Sequence, residues 1–425
     1  MTAEVNNPYD EFPYRSYPVE WSAPERLALT SLLHGGPRFA LDRPYNVLEI
    51  GCGDGSNLLP LAYYRPYAHF TGIDTASTQI EAARSAQSKL GLANLDFLTC
   101  DVRYASEVLA SNYEIIIAHG VFSWIPRDAR DALLALCSSR LRPGGLLYLN
   151  YNAKPGWNVR GLVRDFLLSQ TSEHHGLAQR TAAARALSTR MADALAGAEH
   201  PYSALLCNEF RFVNQSPPSH TAHEYLSADN RAYARADFLA LVRANGLSYV
   251  ADADYTQPSG RVSPHFSKLL STLEVSNDTN SVVDLLSYRQ LHSPILTLGA
   301  HRYEPVRPSE IVTLSAASQL EHWKVEGNAH LFRDAAGTEV RVTTEPFATA
   351  LKALRARWPE FVPVGEVFSD GADVVEDVIL LNRQGLLALR PANAARLARD
   401  SAELHAVECQ RGYVTSSDHV AARWP

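Results

Sequence analysis

A glycine-rich segment carries two carboxylates in a pattern that favours a bound cation. Residues 49–55 read Glu-Ile-Gly-Cys-Gly-Asp-Gly, and the apolar run before them ends at Ile50. Glycines let a backbone approach a ligand closely, and a helix that begins here would offer free N–H groups. The carboxylates of Glu49 and Asp54 repel phosphate and suit a sulfonium or an ammonium group. The dinucleotide fingerprint GxGxxG is also incomplete, because its last glycine is replaced by Ser56.

Two further carboxylates follow neighbouring predicted strands. Asp74 ends the run HFTGI, and Asp101 follows the run LDFLT after one cysteine. A carboxylate at the second strand end can accept hydrogen bonds from ribose hydroxyls, and one at the third faces adenine in S-adenosylmethionine enzymes. Helix capping is the alternative role of both acids, but together with the glycine loop they predict S-adenosylmethionine as the cofactor. The predicted cofactor contacts are Glu49, Gly51, Cys52, Gly53, Asp54, Gly55, Asn57, Asp74, Thr75, Asp101, Val102, His119 and Gly120.

Strand and helix signals alternate between residues 46 and 151, as in a doubly wound α/β fold. The predicted strands are Asn46–Ile50, His69–Ile73, Leu95–Thr99, Tyr113–Ala118 and Leu146–Tyr151. The predicted helices are Ser56–Tyr64, Ser77–Leu90 with Ser77 as N-cap, and Asp128–Leu141, which Pro143-Gly144-Gly145 stops. This spacing implies right-handed βαβ units and a parallel sheet.

The first sheet is expected to be completed far along the chain. A helix at 236–244 and strands at 247–251 and 295–299 would finish a seven-stranded Rossmann-like sheet. The alternative is an independent helical domain over 160–300. The insertion interpretation divides the chain into a cofactor domain (1–160 and 233–305), a helical insertion (161–232, with 257–292) and a C-terminal domain (306–425).

Residues 306–425 have the signals of a separate module. Strands at 330–333 and 339–342 flank a hairpin turn, and helices are predicted at 347–357 and 374–384 before a short strand at 386–389. Helices followed by a hairpin-like strand suggest a winged-helix-like domain. The acidic run at 370–376 argues against DNA reading by this module.

Composition narrows the class of protein. A chain of 425 residues exceeds one hydrophobic core, and its formal charge of −7 argues against general binding to nucleic acid. No apolar run reaches the roughly eighteen residues of a membrane span, and residues 1–18 lack the features of a signal peptide. The five cysteines are scattered and form no CxxC pair, so a reducing cytoplasm is the expected location.

Two segments resemble signature stretches of class I methyltransferases that carry a methyltransferase regulatory domain. They read IIIAHGVFSWIP (115–126) and YLNYNAKPGWNVRGLVRDFL (148–167). Shorter similar segments are PYRSYP (13–18), PERL (24–27), HEYL (223–226), ADFLALVRANGL (236–247) and DLLSYRQLHSPIL (284–296). The family includes bacterial protein-lysine methyltransferases that act on outer-membrane proteins, and its C-terminal part is similar to a winged helix. The resemblance implies a bacterial enzyme in which 161–232 and 257–292 form the regulatory region.

The sequence departs from this family beside the expected acceptor site. The family usually has an aromatic residue before PGW and a histidine after it, and Lys154 and Asn158 stand there in this chain. Neither change affects the predicted methyl transfer. Both weaken the inference that this chain acts on the same substrate as the family.

Five residues are predicted to act on the methyl acceptor: His119, Tyr14, Tyr17, Trp124 and Tyr151. His119 ends the fourth strand, where it could act as a base or position the acceptor. Tyr14 and Tyr17 lie on a segment that could fold over the cofactor as a lid, and tyrosine rings can hold an amine through cation–π contact. Structural packing is the alternative role of each, as it is for Asn150 and Asn152 beside Tyr151. No metal is expected.

The predicted reaction is N-methylation of lysine side chains on a protein or peptide. A sulfonium already activates the methyl group, so the protein mainly aligns the acceptor. Two alternatives stay open: a methyltransferase that tailors a small molecule or ribosomal peptide by N- or O-methylation, and a non-catalytic S-adenosylmethionine-binding regulator. Neither a nucleic-acid partner nor a membrane span is expected, and a homodimer is left open.

Overall fold

A seven-stranded sheet forms the centre of the molecule. The computed structural model describes residues 8–14, 16–255, 279–335, 337–368 and 375–391. The strands of the sheet are β1 (Asn46–Ile50), β2 (His69–Asp74), β3 (Leu95–Thr99), β4 (Tyr113–Ala118), β5 (Leu141–Leu149), β7 (Leu247–Asp252) and β9 (Pro294–Leu298), and a small pair is formed by β6 (Tyr151–Asn152) and β8 (Leu291–His292). The order across the sheet is β3-β2-β1-β4-β5-β9-β7. The first five strands are parallel and β9 is antiparallel to β5 and β7, which confirms the α/β class and the seven predicted strands.

Helices and apolar side chains cover the two faces of this sheet. The helices are α1 (Pro8–Glu11), α2 (Pro24–Leu33), α3 (Leu58–Tyr64), α4 (Ser77–Lys89), α5 (Ala105–Val108) and α6 (Arg127–Arg140). Successive strand residues point to opposite faces, so Val47 packs in one core with α3 while Leu48 packs in the other core with α6. This double burial explains why the strands read as continuous apolar runs rather than as alternating ones.

A buried ion pair joins the N-terminal helix to the sheet layer. The Arg65 guanidinium at the end of α3 donates two hydrogen bonds to the Glu25 carboxylate on α2, at 2.9 and 2.6 Å. Both side chains are almost fully buried. Removal of one partner would leave an uncompensated buried charge, so this pair fixes how α2 lies on the sheet.

Helices follow β6 and form the first insertion. They are α7 (Trp157–Gln170), α8 (Leu177–Leu195), α9 (Pro201–Gln215), α10 (Pro218–His220) and a π-helical turn (Thr221–Tyr225). They have their own small core, which includes Leu167, Phe210 and Tyr225. The chain then returns to the sheet through α11 (Arg235–Ala244), and α12 (Thr279–Leu286) precedes β8. Of the second predicted insertion, residues 257–278 lie outside the described ranges.

The C-terminal part consists of short strands and helices. Its elements are α13 (Pro308–Ile311), β10 (Leu314–Ala317), β11 (Glu321–Glu326), β12 (Ala329–Arg333), β13 (Glu339–Val342), α14 (Glu345–Arg357), β14 (Val362–Pro363), α15 (Val364–Val367), α16 (Val375–Arg383) and β15 (Ala388–Pro391). They form two three-stranded sheets, β14-β10-β15 and β11-β12-β13. The predicted hairpin is present as β12 and β13, and it precedes the long helices as predicted. The winged-helix likeness stays a prediction, and residues 370–374 and 392–425 lie outside the described ranges.

Two local predictions were wrong. Ser77 is the first residue of α4 rather than its cap, because the Asp74 carboxylate already accepts the backbone N–H of the capping residue Ala76. The fifth strand begins at Leu141 rather than at Leu146 and therefore contains Pro143-Gly144-Gly145, where pairing with β4 passes from Leu141 to Leu146. The helix α6 does end before this segment, at Arg140. Across the described helices, none combines the length and apolar character needed to span a bilayer.

Candidate functional site

A cavity of about 400 Å³ lies at the carboxyl ends of the central strands. The predicted residues that line it are Tyr14, Tyr17, Glu49, Gly51, Cys52, Gly53, Asn57, Asp74, His119, Gly120, Trp124 and Tyr151. The structure therefore brings the predicted cofactor loop and the predicted acceptor residues around one space. The predicted residues Asp54, Gly55, Thr75, Asp101 and Val102 do not line it.

The glycine loop requires glycine for both conformation and packing. Gly51 and Gly55 have φ angles of +74° and +77°, in the left-handed region that side chains rarely adopt. A Cβ atom on Gly51 would lie 2.3 Å from Cγ2 of Val121, and one on Gly55 would lie 2.6 Å from the ring of Phe97. The loop is thus a tight turn between β1 and α3 whose backbone can face a ligand directly.

Glu49 is a buried carboxylate with one oxygen left unpaired. Its Oε1 accepts a hydrogen bond from Nδ2 of Asn57 at 2.9 Å, while Oε2 has no hydrogen-bond partner within the described chain. Burial raises the pKa of Glu49 to about 8, and the nearby Asp74 and Asp54 carboxylates push it in the same direction. A cation bound beside Oε2 would satisfy this orphaned acceptor.

Asp74 holds the cofactor loop as well as facing the cavity. Its Oδ2 accepts the backbone N–H of Gly53 at 2.8 Å, and its Oδ1 accepts that of Ala76 at 2.9 Å. Burial raises its pKa, although these backbone hydrogen bonds act in the opposite direction. Each carboxylate oxygen has a second lone pair, so ribose hydroxyls can still bind there.

The other two predicted acids are engaged elsewhere. Asp54 accepts hydrogen bonds from the backbone and the hydroxyl of Ser56, which supports the entry into α3. Asp101 is bound by the guanidinium of Arg103 at 2.6 Å, and this arginine also reaches Asp128. The Arg103 contacts lower the pKa of Asp101. Neither acid lines the cavity, so a contact between Asp101 and adenine stays a prediction.

His119 is held as a neutral donor rather than as a base. Oδ1 of Asn150 accepts the backbone N–H of Gly120 at 2.7 Å, which orients the amide so that its Nδ2 donates to Nδ1 of His119 at 3.1 Å. The ring proton therefore lies on Nε2. Burial lowers the pKa of His119 to about 4, so the ring is uncharged at neutral pH. This arrangement favours positioning over proton abstraction.

The N-terminal segment lies over the cavity and is tied down at several points. The backbone N–H of Val19 donates to Oδ1 of Asn57 at 2.9 Å, and Asp10 accepts two hydrogen bonds from Thr78 on α4. The ring of Tyr9 stacks on His223 of the insertion at 4.3 Å. This segment, residues 8–19, is hereafter called the strap. It bridges the sheet domain and the insertion, in the place where the sequence predicted a lid.

Aromatic side chains form the wall beside β5. Trp124 contacts Trp157 edge to face at 5.5 Å, and Tyr151 stacks on Phe238 at 3.9 Å. Tyr151 also stacks on His292. Because both faces of the Tyr151 ring are covered, its position is set by packing, and burial raises the pKa of its hydroxyl.

Sequence reasoning missed the contribution of the insertion to this cavity. Residues from α7, α10 and the π-helical turn line it together with the strap: Tyr9, Trp157, Arg160, His220, His223 and Glu224. The signals in the sequence were the family-like segments 148–167 and 223–226, to which no role at the site was assigned for these residues. No group of His, Cys, Asp and Glu in the described ranges has a metal-site arrangement.

Comparisons with known proteins agree with this geometry. Residues 47–145 match the family described as a methyltransferase domain. An uncharacterized protein of Rickettsia prowazekii is 31% identical over 299 residues, which are 69% of this chain and 53% of that protein. The chain thus spans about half the length of that relative.

A named enzyme and a solved structure are also similar to this chain. The trans-aconitate 2-methyltransferase of Azoarcus sp. is 31% identical over 110 residues, covering 26% of this chain and 40% of that enzyme. The structure of PKMT2 from Rickettsia typhi in complex with AdoHcy has a TM-score of 0.72 at 21% identity, and the match covers 89% of this chain and 77% of that one. At this level of identity, the likeness to PKMT2 shows that the two proteins share a fold. With the acidic glycine loop and Asp74 at adjacent strand ends, the family match identifies residues 47–145 as a class I S-adenosylmethionine-dependent methyltransferase domain.

Proposed function

We propose that this chain transfers a methyl group from S-adenosylmethionine to the side-chain nitrogen of a lysine on a protein or peptide. The observation that carries the proposal is one cavity with two chemically different kinds of lining residue. The glycine loop, Glu49 and Asp74 line it together with aromatic rings and a further carboxylate, Glu224. Such a cavity suits a cationic cofactor beside an amine acceptor.

The residues present fit the cofactor. The unpaired Oε2 of Glu49 suits the ammonium of its methionine part, and Asp74 suits the ribose hydroxyls. Cys52, Gly53 and Gly120 would contact the remainder, and Thr75, Asp101 and Val102 stay predicted contacts of the adenosine end. The relative solved with AdoHcy supports the same choice of cofactor. When bound, the cofactor supplies a methyl group that is already activated by a positively charged sulfur.

The protein's own task is to bind, align and desolvate the acceptor. Positioning alone can lower a barrier by roughly 7–11 kcal/mol. Trp124 and Tyr14 provide apolar walls for a methylene chain, and the strap covers the cavity from the side of Tyr17. The neutral ring of His119 carries its proton on Nε2 and can donate a hydrogen bond into the site.

The resemblance to bacterial protein-lysine methyltransferases supports a protein substrate. Lys154, which stands where that family usually has an aromatic residue, argues that the particular substrate differs from theirs. We further propose that the cofactor domain comprises 1–160 and 233–305, with the insertion 161–232 and 257–292 contributing to acceptor selection and 306–425 forming a winged-helix-like domain. The position of Glu224 in the cavity wall supports a role of the insertion in acceptor selection.

The test uses the full-length chain and a cofactor with an isotopically labelled methyl group. Bacterial lysate proteins and small molecules are incubated with both, and mass spectrometry locates the label. We expect methylated lysine on a protein. Label on oxygen, as a base-labile ester or a stable ether, would reject lysine methylation and favour a biosynthetic tailoring enzyme. Cofactor binding without any labelled product would favour a non-catalytic regulator.

A further inference from the structure

Glu224 is a carboxylate in the cavity wall, and no group among the described residues is paired with it. It lies on the π-helical turn Thr221–Tyr225 of the insertion and is partly buried. Within the described chain its carboxylate has neither a hydrogen bond nor an ion pair, although it faces the same cavity as Glu49. π-Helical turns are rare and frequently occur at functional sites.

The neighbours of Glu224 fix the direction of its side chain. On one side, Tyr225 is fully buried in the core of the insertion and donates to Oε1 of Glu209 at 2.6 Å. On the other side, His223 stacks on Tyr9 and donates through Nε2 to the carbonyl of Phe12. With both neighbours anchored, the residue between them projects into the cavity, and this orientation depends on the strap being in place.

The nearby guanidinium does not cancel the charge of Glu224. Nε of Arg160 donates to Glu209 at 2.8 Å, and its guanidinium lies 4.5 Å from the ring centre of Phe212. Arg160 is therefore already paired with another carboxylate. Burial raises the pKa of Glu224 to about 7, while the attraction of Arg160 acts in the opposite direction.

The chemistry of this corner matches a primary ammonium group. Tyr9 and Tyr14 line the same cavity as Glu224, so two phenol rings share this space with the carboxylate. Burial raises the pKa of both tyrosines, and the negative charge of Glu224 acts in the same direction. Aromatic rings beside a carboxylate attract an alkylammonium ion through charge and cation–π contact. An acceptor carboxylate or phosphate would instead be repelled by Glu224.

We propose, on the basis of the N-methyltransferase function above, that Glu224 binds the acceptor ammonium and takes its proton. One proton passes from the ammonium to the carboxylate, which leaves a neutral amine and a carboxylic acid. The nitrogen lone pair then forms the new N–C bond as the C–S bond breaks and its electron pair goes to sulfur. Glu224 returns its proton to solvent after the product leaves. His119 does not serve in this step, because its Nδ1 is occupied by Asn150.

The test measures amine recognition without knowledge of the natural substrate. The probes are two analogues of S-adenosylhomocysteine in which the sulfur is replaced by a nitrogen that carries either an aminobutyl or an uncharged pentyl chain. Calorimetry compares the full-length wild type with Glu224→Gln, which keeps the shape of the side chain. The control is Glu173→Gln, an exposed acid on the same insertion. S-adenosylhomocysteine reports cofactor binding, and thermal melting reports folding.

We expect the wild type and the control to prefer the aminobutyl analogue about tenfold, the size of one charge-assisted hydrogen bond. Glu224→Gln should lose this preference while S-adenosylhomocysteine binds as in the wild type. Glu224→Asp, which keeps the charge, should retain part of it if the isosteric variant folds poorly. An unchanged preference in Glu224→Gln would overturn the proposal even if lysine is the labelled product. Label on oxygen in the lysate experiment would overturn the proposed function instead.

Discussion

The cofactor half of the site depends on two carboxylates with different roles. Asp74 accepts one backbone N–H at each oxygen and shapes the loop, whereas Glu49 keeps one oxygen unpaired within the described chain. Burial raises the pKa of both, because a carboxylate loses the hydration of its charged form. A cationic ligand stabilises the charged form of a carboxylate, which burial disfavours. Binding of the cofactor is therefore coupled to the protonation state of these residues.

The affinity for S-adenosylhomocysteine should rise with pH between about 5.5 and 7.5. Glu49 has a raised pKa of about 8 in the ligand-free protein, so it is mostly protonated in this range and must lose its proton to pair with the ligand ammonium. The dependence should approach about tenfold per pH unit and disappear in Glu49→Gln. Calorimetry in buffers of different ionisation heat measures the released proton. Its absence in the wild type would contradict the role given to Glu49, and Glu224→Gln serves as the control for the second group that titrates near 7.

Replacement of Asp74 by alanine should weaken cofactor binding by about 2–3 kcal/mol, because hydrogen bonds to a charged group are lost. The same change frees the N–H of Gly53, so the melting temperature should also fall. Asp96→Ala on the adjacent strand, where the carboxylate is exposed and contacts His69, is the matched control. Equal affinities of the two variants in calorimetry would show that Asp74 does not bind the cofactor.

At the scale of elements, the sheet edge beyond β5 is built by segments distant in sequence. β9 pairs with β5 through Leu147 and Tyr148, and β7 closes the edge. A buried ionic cluster holds α12 and β8 against the end of β7: His292 lies 3.2 Å from Asp252 and 2.9 Å from Asp284. Because His292 also stacks on Tyr151, this cluster connects the sheet edge with the cavity wall.

A fragment that ends at residue 170 should be insoluble or unfolded. It retains β5 but lacks β9 and β7, so fully buried residues such as Leu147 and Tyr148 would lie on an open apolar edge. Solubility, circular dichroism and cofactor binding measure the outcome. A stable fragment that binds cofactor would contradict the view that the distant strands are part of this domain.

Replacement of His292 by glutamine should destabilise the protein by about 1–3 kcal/mol at pH 6, and by less at pH 9. The two neighbouring aspartates raise the pKa of His292, while burial and Arg289 act against them. A raised pKa gives stability that is present below the unfolded value and is lost as pH rises through the folded value. The Asp252 carboxylate, with a pKa of about 2, stays charged at both pH values. Denaturant unfolding of the wild type and the variant at the two pH values measures this loss of stability. If the free energies of unfolding differed by the same amount at pH 6 and at pH 9, the charge on His292 would contribute nothing.

At the scale of the whole molecule, α2 belongs to two cores at once. Leu27 packs with the sheet, whereas Leu29 and Leu33 pack with the C-terminal strands and helices. The two parts are also joined by a hydrogen bond from Tyr255 to Asn382 at 2.6 Å. The C-terminal part is therefore docked on the opposite side of α2 from the cofactor sheet.

A fragment that ends at residue 305 should still bind S-adenosylhomocysteine, because the cavity is lined by described residues that all precede position 292. Its melting temperature should be lower than that of the full chain, since Leu29 and Leu33 become exposed. Calorimetry and thermal melting separate the two effects. The double variant Leu29→Ser with Leu33→Ser should reduce aggregation of the fragment. If the soluble fragment no longer bound S-adenosylhomocysteine, cofactor binding would depend on the C-terminal part, contrary to this prediction.

The sequence determined those features that depend on neighbouring residues. The acidic glycine loop, the acids at successive strand ends and the apolar runs of the strands are local signals, because backbone sterics and strand burial select residue types directly. They predicted the cofactor, the sheet and about half of the residues that line the cavity. The local failures at Ser77 and Pro143 arose where a side chain or strand pairing from another element took the place that the pattern suggested.

The tertiary structure alone decided which distant groups meet. Glu224 and Arg160 line the cavity because the fold brings the π-helical turn and α7 beside the glycine loop, and no spacing rule relates them to Glu49. Likewise, the protonation of His119 follows from the orientation of Asn150, which a backbone N–H fixes. Burial, charge pairing and hydrogen-bond direction depend on contacts between residues far apart in sequence, so the acceptor half of the site emerges from packing and not from pattern.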